Sequence, residues 1–205
     1  MAASTAAPRL NRAGGRTRIC SVAARADASR RVTVRRAEPS DLATVVSLRL
    51  ALLREYGNHP LYAELHDDVV DRAFDLYHAQ ITAADERLFL AELGGEAVGI
   101  LRAGDVRGSP LVLPERYCYV SSVYVVPSAR RRGVMRALVR AAENWCDERG
   151  LREMRLHNAA SSRIAVAAWS ALGFEVVEQV RRRVVNAAAD AHDEREFASQ
   201  IAPTR

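Results

Sequence analysis

The order of elements read from the sequence, β-α-α-β-β-β-α-β-α-β, predicts an α/β layered domain with a mixed sheet. Three observations carry that prediction. Two helical stretches separate a short opening strand from a tight hairpin. A long strand then ends at a proline and runs almost directly into an amphipathic helix. A final alternation of strand, short helix and strand closes the chain.

Taken in order, residues 32–36 ("VTVRR") alternate in polarity and predict a strand. "EPSDL" supplies a proline and a Ser/Asp start signal for a helix carrying Leu42, Val45, Val46, Leu48, Leu50, Leu52 and Leu53. That helix runs to about Tyr56 and stops at "GNHP". Val69, Val70, Ala73, Phe74 and Tyr77 recur at helical spacing over residues 66–80. "RLFLAEL" and "AVGILRA" are strands on either side of "GGE", the signature of a tight hairpin. A loop is expected over residues 104–114, followed by "RYCYVSSVYVV", the strongest strand signal of the chain, which Pro127 ends. Val134, Leu138, Ala141 and Trp145 mark one face of a helix over residues 132–149, closed by Gly150. Residues 153–158 predict a strand, residues 163–172 a short Ala-rich helix, and residues 174–185 a last strand. The domain is thus expected over residues 32–185, with a flexible tail over 186–205.

Apolar residues make up 49% of the 205 and charged residues 27%, enough for one hydrophobic core. The net charge of +5 is unevenly distributed. Residues 1–31 hold seven arginines and one acid, Asp27, while the rest of the chain balances 23 arginines against 24 acids. A nucleic-acid-binding domain carries its basic excess in the folded part, so that class is set aside. The leader, with nine alanines and three serines besides its arginines, reads as a disordered basic segment or an early start codon; a transit peptide is the alternative. No run reaches the length of a spanning helix, and no membrane partner is expected. Cys20, Cys118 and Cys146 are odd in number and widely spaced, which suggests neither a disulfide framework nor a zinc site, and no metal is expected. The expected location is cytoplasmic, or plastid or mitochondrion if residues 1–31 are a transit peptide.

The stretch "VPSARRRGVMRAL" concentrates the chemistry. A strand enters a proline, a short loop follows, and a helix begins with Gly133 in its first turn. The first N–H groups of a helix lack intrahelical acceptors, and the helix dipole adds about half a positive charge there. Such an end is an anion site. Gly133 has no Cβ, so a diphosphate can approach the main chain, and Arg130, Arg131 and Arg132 add positive charge. The Walker and GxGxxG patterns are both absent.

The stretch "VYVVPSARRRGVMRAL" resembles the acetyl-CoA motif, Arg/Gln-x-x-Gly-x-Gly/Ala, of the GCN5-related N-acetyltransferases (GNAT). "AVAAWSALGFEVVE" resembles their second signature, and "FLAELGGEAVGILRA" and "VTVRRAEPSDLATV" fit the family's first half. The resemblance implies the GNAT acyl-CoA N-acyltransferase fold, with a mainly antiparallel central sheet flanked by helices. It implies acetyl transfer from acetyl-CoA to a primary amine of a small molecule or peptide, with a homodimer left open. By position, Val123, Tyr124 and Val125 would meet the pantetheine arm. Arg130, Arg131, Arg132, Gly133, Val134 and Met135 would wrap the pyrophosphate with their backbone amides. Met135 stands where the family has a small residue, so its side chain must point away from the phosphates.

The same resemblance places Ser121 where the family carries a glutamate base, Trp169 where it carries a tyrosine acid, and Ser162 where it often has an asparagine. A catalytically weak CoA-binding regulatory module is therefore the alternative. Strand alternation predicts that Tyr119, Ser121, Val123 and Val125 share one face, so that Tyr119 and Ser121 can hold a proton path. His157 has a side chain suited to a base. Asn158, on a face with Met154 and Leu156, is expected to touch the cofactor, as is Trp169. Glu55, Glu64, Asp67, Asp68, Asp71 and Asp75 form an acidic candidate wall for a cationic acceptor.

Overall fold

The computed structural model describes residues 31–185, so the leader (Arg31 apart) and residues 186–205 lie outside the described residues. Two compact units are present, one ending at Arg163 and the other beginning at Ile164, and each is described by itself.

The first unit is built on a five-stranded sheet in the order β1-β2-β3-β4-β5. Its strands are β1 (Val32–Arg36), β2 (Glu86–Leu93), β3 (Glu96–Arg107), β4 (Arg116–Val125) and β5 (Met154–Leu156). The first four pair antiparallel in succession; β5 pairs parallel to β4. Gly94 and Gly95, at φ 64° and 86°, form the two-residue turn between the paired Leu93 and Glu96, a conformation only glycine takes at low cost at both positions.

The helices are α1 (Leu42–Glu55), α2 (Val69–Thr82) and α3 (Val134–Arg149). Val45, Val46 and Leu48 of α1 and Ala73, Tyr77 and Ile81 of α2 bury against Leu88, Leu90, Ile100 and Tyr124, which defines one face of the sheet. On α3, Val134, Leu138, Val139, Ala142, Trp145 and Cys146 are buried at helical spacing. Gly150 ends α3 in the left-handed conformation, with Leu151 N–H donating to Cys146 O at 2.9 Å.

α3 lies close to the sheet because Gly99 of β3 has no side chain. A Cβ there would stand 2.9 Å from Tyr124 O, 3.2 Å from Val134 Cγ1 and 3.3 Å from Leu138 Cδ1. At the far end of the sheet Asp105 ties three elements together. It accepts from Arg116 Nε and Arg149 Nε, each at 2.9 Å, and its side chain is only 5% exposed.

The structure departs from the sequence reading in three places. β3 runs through Arg107, well into the segment read as loop, because residues 104–107 pair with Arg116–Tyr119. β5 is three residues long, so His157 and Asn158 follow the strand instead of lying on it. Residues 174–185 form no strand: Val176, Val177 and Val180 break strict alternation and are 73%, 82% and 65% exposed. Strand composition makes a strand only where a neighbour completes the ladder.

In the second unit, α4 (Arg163–Ser170, which begins at the last residue of the first unit) ends with Gly173 at φ 87°. Phe174 N–H donates to Trp169 O at 3.1 Å, and the Phe174 ring meets the buried Trp169 edge-on at 5.1 Å. The Leu-Gly-Phe segment is thus a helix stop with its hydrophobic contact.

Candidate active site

The candidate site lies where β4 leaves β5 while it stays paired with β3. β4 pairs with β5 through Cys118, Tyr119 and Val120, so residues 121–125 have no ladder partner on that side among the described residues. Val126 N–H donates to Val98 O at 2.9 Å, so the N–H and C=O groups of Val125 point the opposite way, toward the open edge. Val123, two residues earlier, presents its groups to the same edge.

A bulge sits at the head of this open stretch. Arg102 pairs with Ser121 and Ile100 with Tyr124, so Ser122 and Val123 together oppose Leu101. Ser122 takes φ 53°, a left-handed conformation that costs a non-glycine residue about 1–2 kcal/mol. The bulge corrects the expected face. Paired residues share a face, so Tyr119, Ser121 and Tyr124 lie on the α1/α2 side, whereas Val123 and Val125 turn to the other side.

Side chains hold the bulge from α2 and from β3. Tyr77 OH and Ser122 Oγ share a hydrogen bond at 2.9 Å. Arg102 Nη1 donates to Ser121 Oγ at 3.0 Å, while Nε and Nη2 of the same guanidinium grip the Glu86 carboxylate. The sequence reading gives Arg102 and Glu86 no role and Tyr77 only a place in the apolar pattern of α2. Each lies in a different element from the serines it fixes, and only the fold brings them together.

After Pro127 a single 3-10 turn leads to the junction with α3. Arg130 departs from its expected role. Its N–H closes the turn on Pro127 O at 3.3 Å, and its guanidinium caps Val125 O at 3.0 Å and pairs with Glu55. Beyond it, Arg131 at φ 61° and Gly133 at φ 81° turn the chain left-handed, and Gly133 is the N-cap of α3. Ala137 is the first residue whose N–H finds a helical acceptor, Gly133 O at 3.0 Å; the N–H groups of residues 131–136 have none among the described residues. Among the described residues no side chain caps this end, and nothing lies within 4 Å of where a Gly133 Cβ would be. Left-handed turns with successive free amides at a helix start make a concave anion site. Arg131 and Arg132 are exposed beside it, Val134 is buried in the core, and Met135 is half-buried.

A second cluster stands at the β5 end of β4. Tyr119 OH and His157 Nδ1 share a hydrogen bond at 2.8 Å, their rings meeting edge-on at 5.7 Å. Burial, reinforced by the Tyr62 and Tyr117 phenols, pushes the Tyr119 hydroxyl above its ordinary range against the opposing charge of Arg102. Tyr119 therefore keeps its proton at neutral pH. Asn158, next in the chain, lies outside regular structure, its Nδ2 donating to Ala159 O at 3.3 Å. In the loop after α1, Tyr56, His59 and Tyr62 form an aromatic cluster, with His59 and Tyr62 stacked at 5.0 Å. Their i, i+3, i+6 spacing is a signal the sequence reading overlooked. Of the acidic candidates, Glu55 is paired with Arg130 and Asp68 with Arg72, while Glu64, Asp67, Asp71 and Asp75 are exposed.

The open edge of β4 thus leads to a helix start whose first amides are uncapped among the described residues, the geometry of an anion site. The chain belongs to the acetyltransferase (GNAT) family, whose model matches residues 50–174. It is 33% identical over 156 residues to an aminoglycoside N(6')-acetyltransferase type 1 of Stenotrophomonas maltophilia, covering 72% of this chain and 89% of that one. The corresponding protein of Salmonella typhimurium is 33% identical over 99 residues, spanning 45% of this chain and 64% of the relative, less than two thirds of its length. Among solved structures, a predicted acetyltransferase from Clostridium acetobutylicum with acetyl-CoA matches with TM-score 0.62 at 16% identity, over 75% of this chain and 96% of that one. The aminoglycoside 6'-N-acetyltransferase AAC(6')-Ih of Acinetobacter baumannii matches with TM-score 0.61 at 23% identity, over 76% and 99%. At these identities the structural matches establish the fold.

Proposed function

We propose that the protein transfers the acetyl group of acetyl-CoA to a primary amine of a small cationic molecule by direct attack in a ternary complex. The observation that carries this reading is the row of N–H groups without acceptors around Gly133, placed where the open edge of β4 ends. The amides of Arg131, Arg132, Gly133, Val134 and Met135 are suited to the diphosphate, with the Arg131 and Arg132 side chains adding charge. The edge groups of Val123 and the N–H of Val125 are suited to the amide-rich arm. Acetyl-CoA supplies a thioester: the amine nitrogen bonds to its carbonyl carbon, the carbon–sulfur bond breaks, and the sulfur leaves as a thiolate that takes up a proton.

The chain itself handles the acceptor's proton. A protonated Tyr119 can receive the ammonium proton on its oxygen while passing its own to His157 Nδ1, and exposed His157 releases it to water. Ser121, fixed by Arg102, supplies a hydroxyl donor where a carboxylate is absent. This hydrogen-bonded pair favours an enzyme over a CoA-binding regulatory module. The aromatic cluster and the exposed acids favour a cationic acceptor. The naming of the relatives makes aminoglycosides the first candidates, with peptide amines tested alongside.

Calorimetric titration with acetyl-CoA and CoA tests the cofactor half of the reading. Saturable heat that Gly133→Glu abolishes is expected; no heat with the unaltered protein overturns it.

A further inference from the structure

We propose that Tyr77 is a positioning residue that sets which main-chain groups of β4 face the acetyl-CoA edge. The inference rests on the acetyl-CoA reading given above and concerns a residue that meets neither cofactor nor acceptor.

Ser121 pairs with Arg102. In a regular strand Val123 would then pair with Ile100, and Tyr124 with Gly99. The extra residue moves Tyr124 opposite Ile100 and Val125 opposite Gly99. Because backbone groups alternate along a strand, this one-residue slip exchanges every N–H and C=O that points at β3 for one that points at the open edge. The bulge therefore selects the groups of Val123 and Val125, and not those of Tyr124, for the edge that leads to Gly133.

Nothing intrinsic to the sequence at the bulge favours this state. Ser122 stands at φ 53°, where glycine is the residue of choice. What holds it is the hydroxyl of Tyr77, at 2.9 Å from Ser122 Oγ. Tyr77 is 1% exposed, one turn from Ala73 and Ile81 in the buried stripe of α2, so its ring is fixed by the core before its hydroxyl reaches the strand. Arg102 holds Ser121 in a similar manner, but Ser121 precedes the slip, whereas Ser122 lies within it.

Tyr77→Phe keeps the ring and removes only the pin. Ser122→Gly removes the need for a pin, because glycine takes positive φ at no steric cost. Three full-length proteins, the unaltered chain, Tyr77→Phe and the Tyr77→Phe/Ser122→Gly double variant, are compared by calorimetric titration with acetyl-CoA and by amide hydrogen exchange of residues 121–125 without ligand. Tyr77→Phe is expected to weaken acetyl-CoA binding about five- to tenfold, the equivalent of one hydrogen bond, and to speed exchange across the bulge. The double variant is expected to recover most of both. Unchanged affinity and exchange in Tyr77→Phe overturn the proposal. A loss that Ser122→Gly does not restore also overturns it, because Tyr77 then acts through general stability. If the unaltered protein fails to bind acetyl-CoA, the functional reading falls, and the exchange comparison still decides whether Tyr77 pins the bulge.

Discussion

The two ends of the site are built differently. Around Gly133 the groups proposed to bind are main-chain amides, supplied by one contiguous stretch of chain and left free by the geometry of a helix start. Around Tyr119 they are side chains: Tyr119 from β4, His157 from the segment after β5, and Ser121 held by Arg102 of β3. A backbone site tolerates many side chains and fails when the chain cannot take its shape. A side-chain site fails residue by residue.

That contrast predicts the largest effect at the cofactor end. Gly133→Glu places an acidic side chain at a positive-φ position facing the proposed diphosphate site, and acetyl-CoA affinity is expected to fall by more than about 100-fold in calorimetry. Arg132→Ala, which leaves the amides in place, should cost about tenfold or less. Equal losses in the two variants would erase the distinction between backbone and side-chain recognition.

At the transfer end, Tyr119→Phe and His157→Gln are each expected to lower kcat about 10- to 100-fold while leaving acetyl-CoA affinity within twofold. The double variant should be little worse than either, as befits one relay. Steady-state kinetics with a fixed amine checks this, and full additivity would separate the two residues.

The close approach of β3 and α3 links the ends. Gly99→Ala forces a contact against the Tyr124 carbonyl and the Val134 and Leu138 side chains, and is expected to destabilise the fold by about 1–3 kcal/mol in urea titration while weakening acetyl-CoA binding.

The smallest effect lies away from both ends. Burial raises the Asp105 carboxyl, but hydrogen bonds from Arg116 and Arg149 outweigh it and hold the group below its ordinary range. Its stabilisation is present above the unfolded value of about 4 and is lost as pH falls through the lower folded value. Asp105→Asn should cost about 1.5–3 kcal/mol at neutral pH, a deficit that shrinks on acidification below about pH 4, with no change in affinity for acetyl-CoA.

The same contrast explains what could be read from the sequence. The path from strand through proline to Gly133 is local, so its order of residues already implied free amides, and the Gly94-Gly95 turn was legible for the same reason. The face of β4 was not, because Ser122 carries no mark of a left-handed residue; counting by twos put Val123 and Val125 beside Tyr119. Arg130 looked like a phosphate ligand by charge, yet Glu55, 75 residues away in sequence, engages it. Residues 174–185 have strand composition yet add no strand to the five-stranded sheet of the described residues. For Ser122 and Arg130, what the sequence does not mark is a partner distant along the chain.

The central claim, acetyl transfer to a cationic amine, is met most directly by following free-thiol release from acetyl-CoA against a panel of aminoglycosides, polyamines and amino-terminal peptides, with products identified by mass spectrometry. Turnover is expected with at least one cationic small molecule, giving a singly acetylated amine, at a rate that falls with Tyr119→Phe. Saturable acetyl-CoA binding with no turnover on any amine of the panel would contradict it.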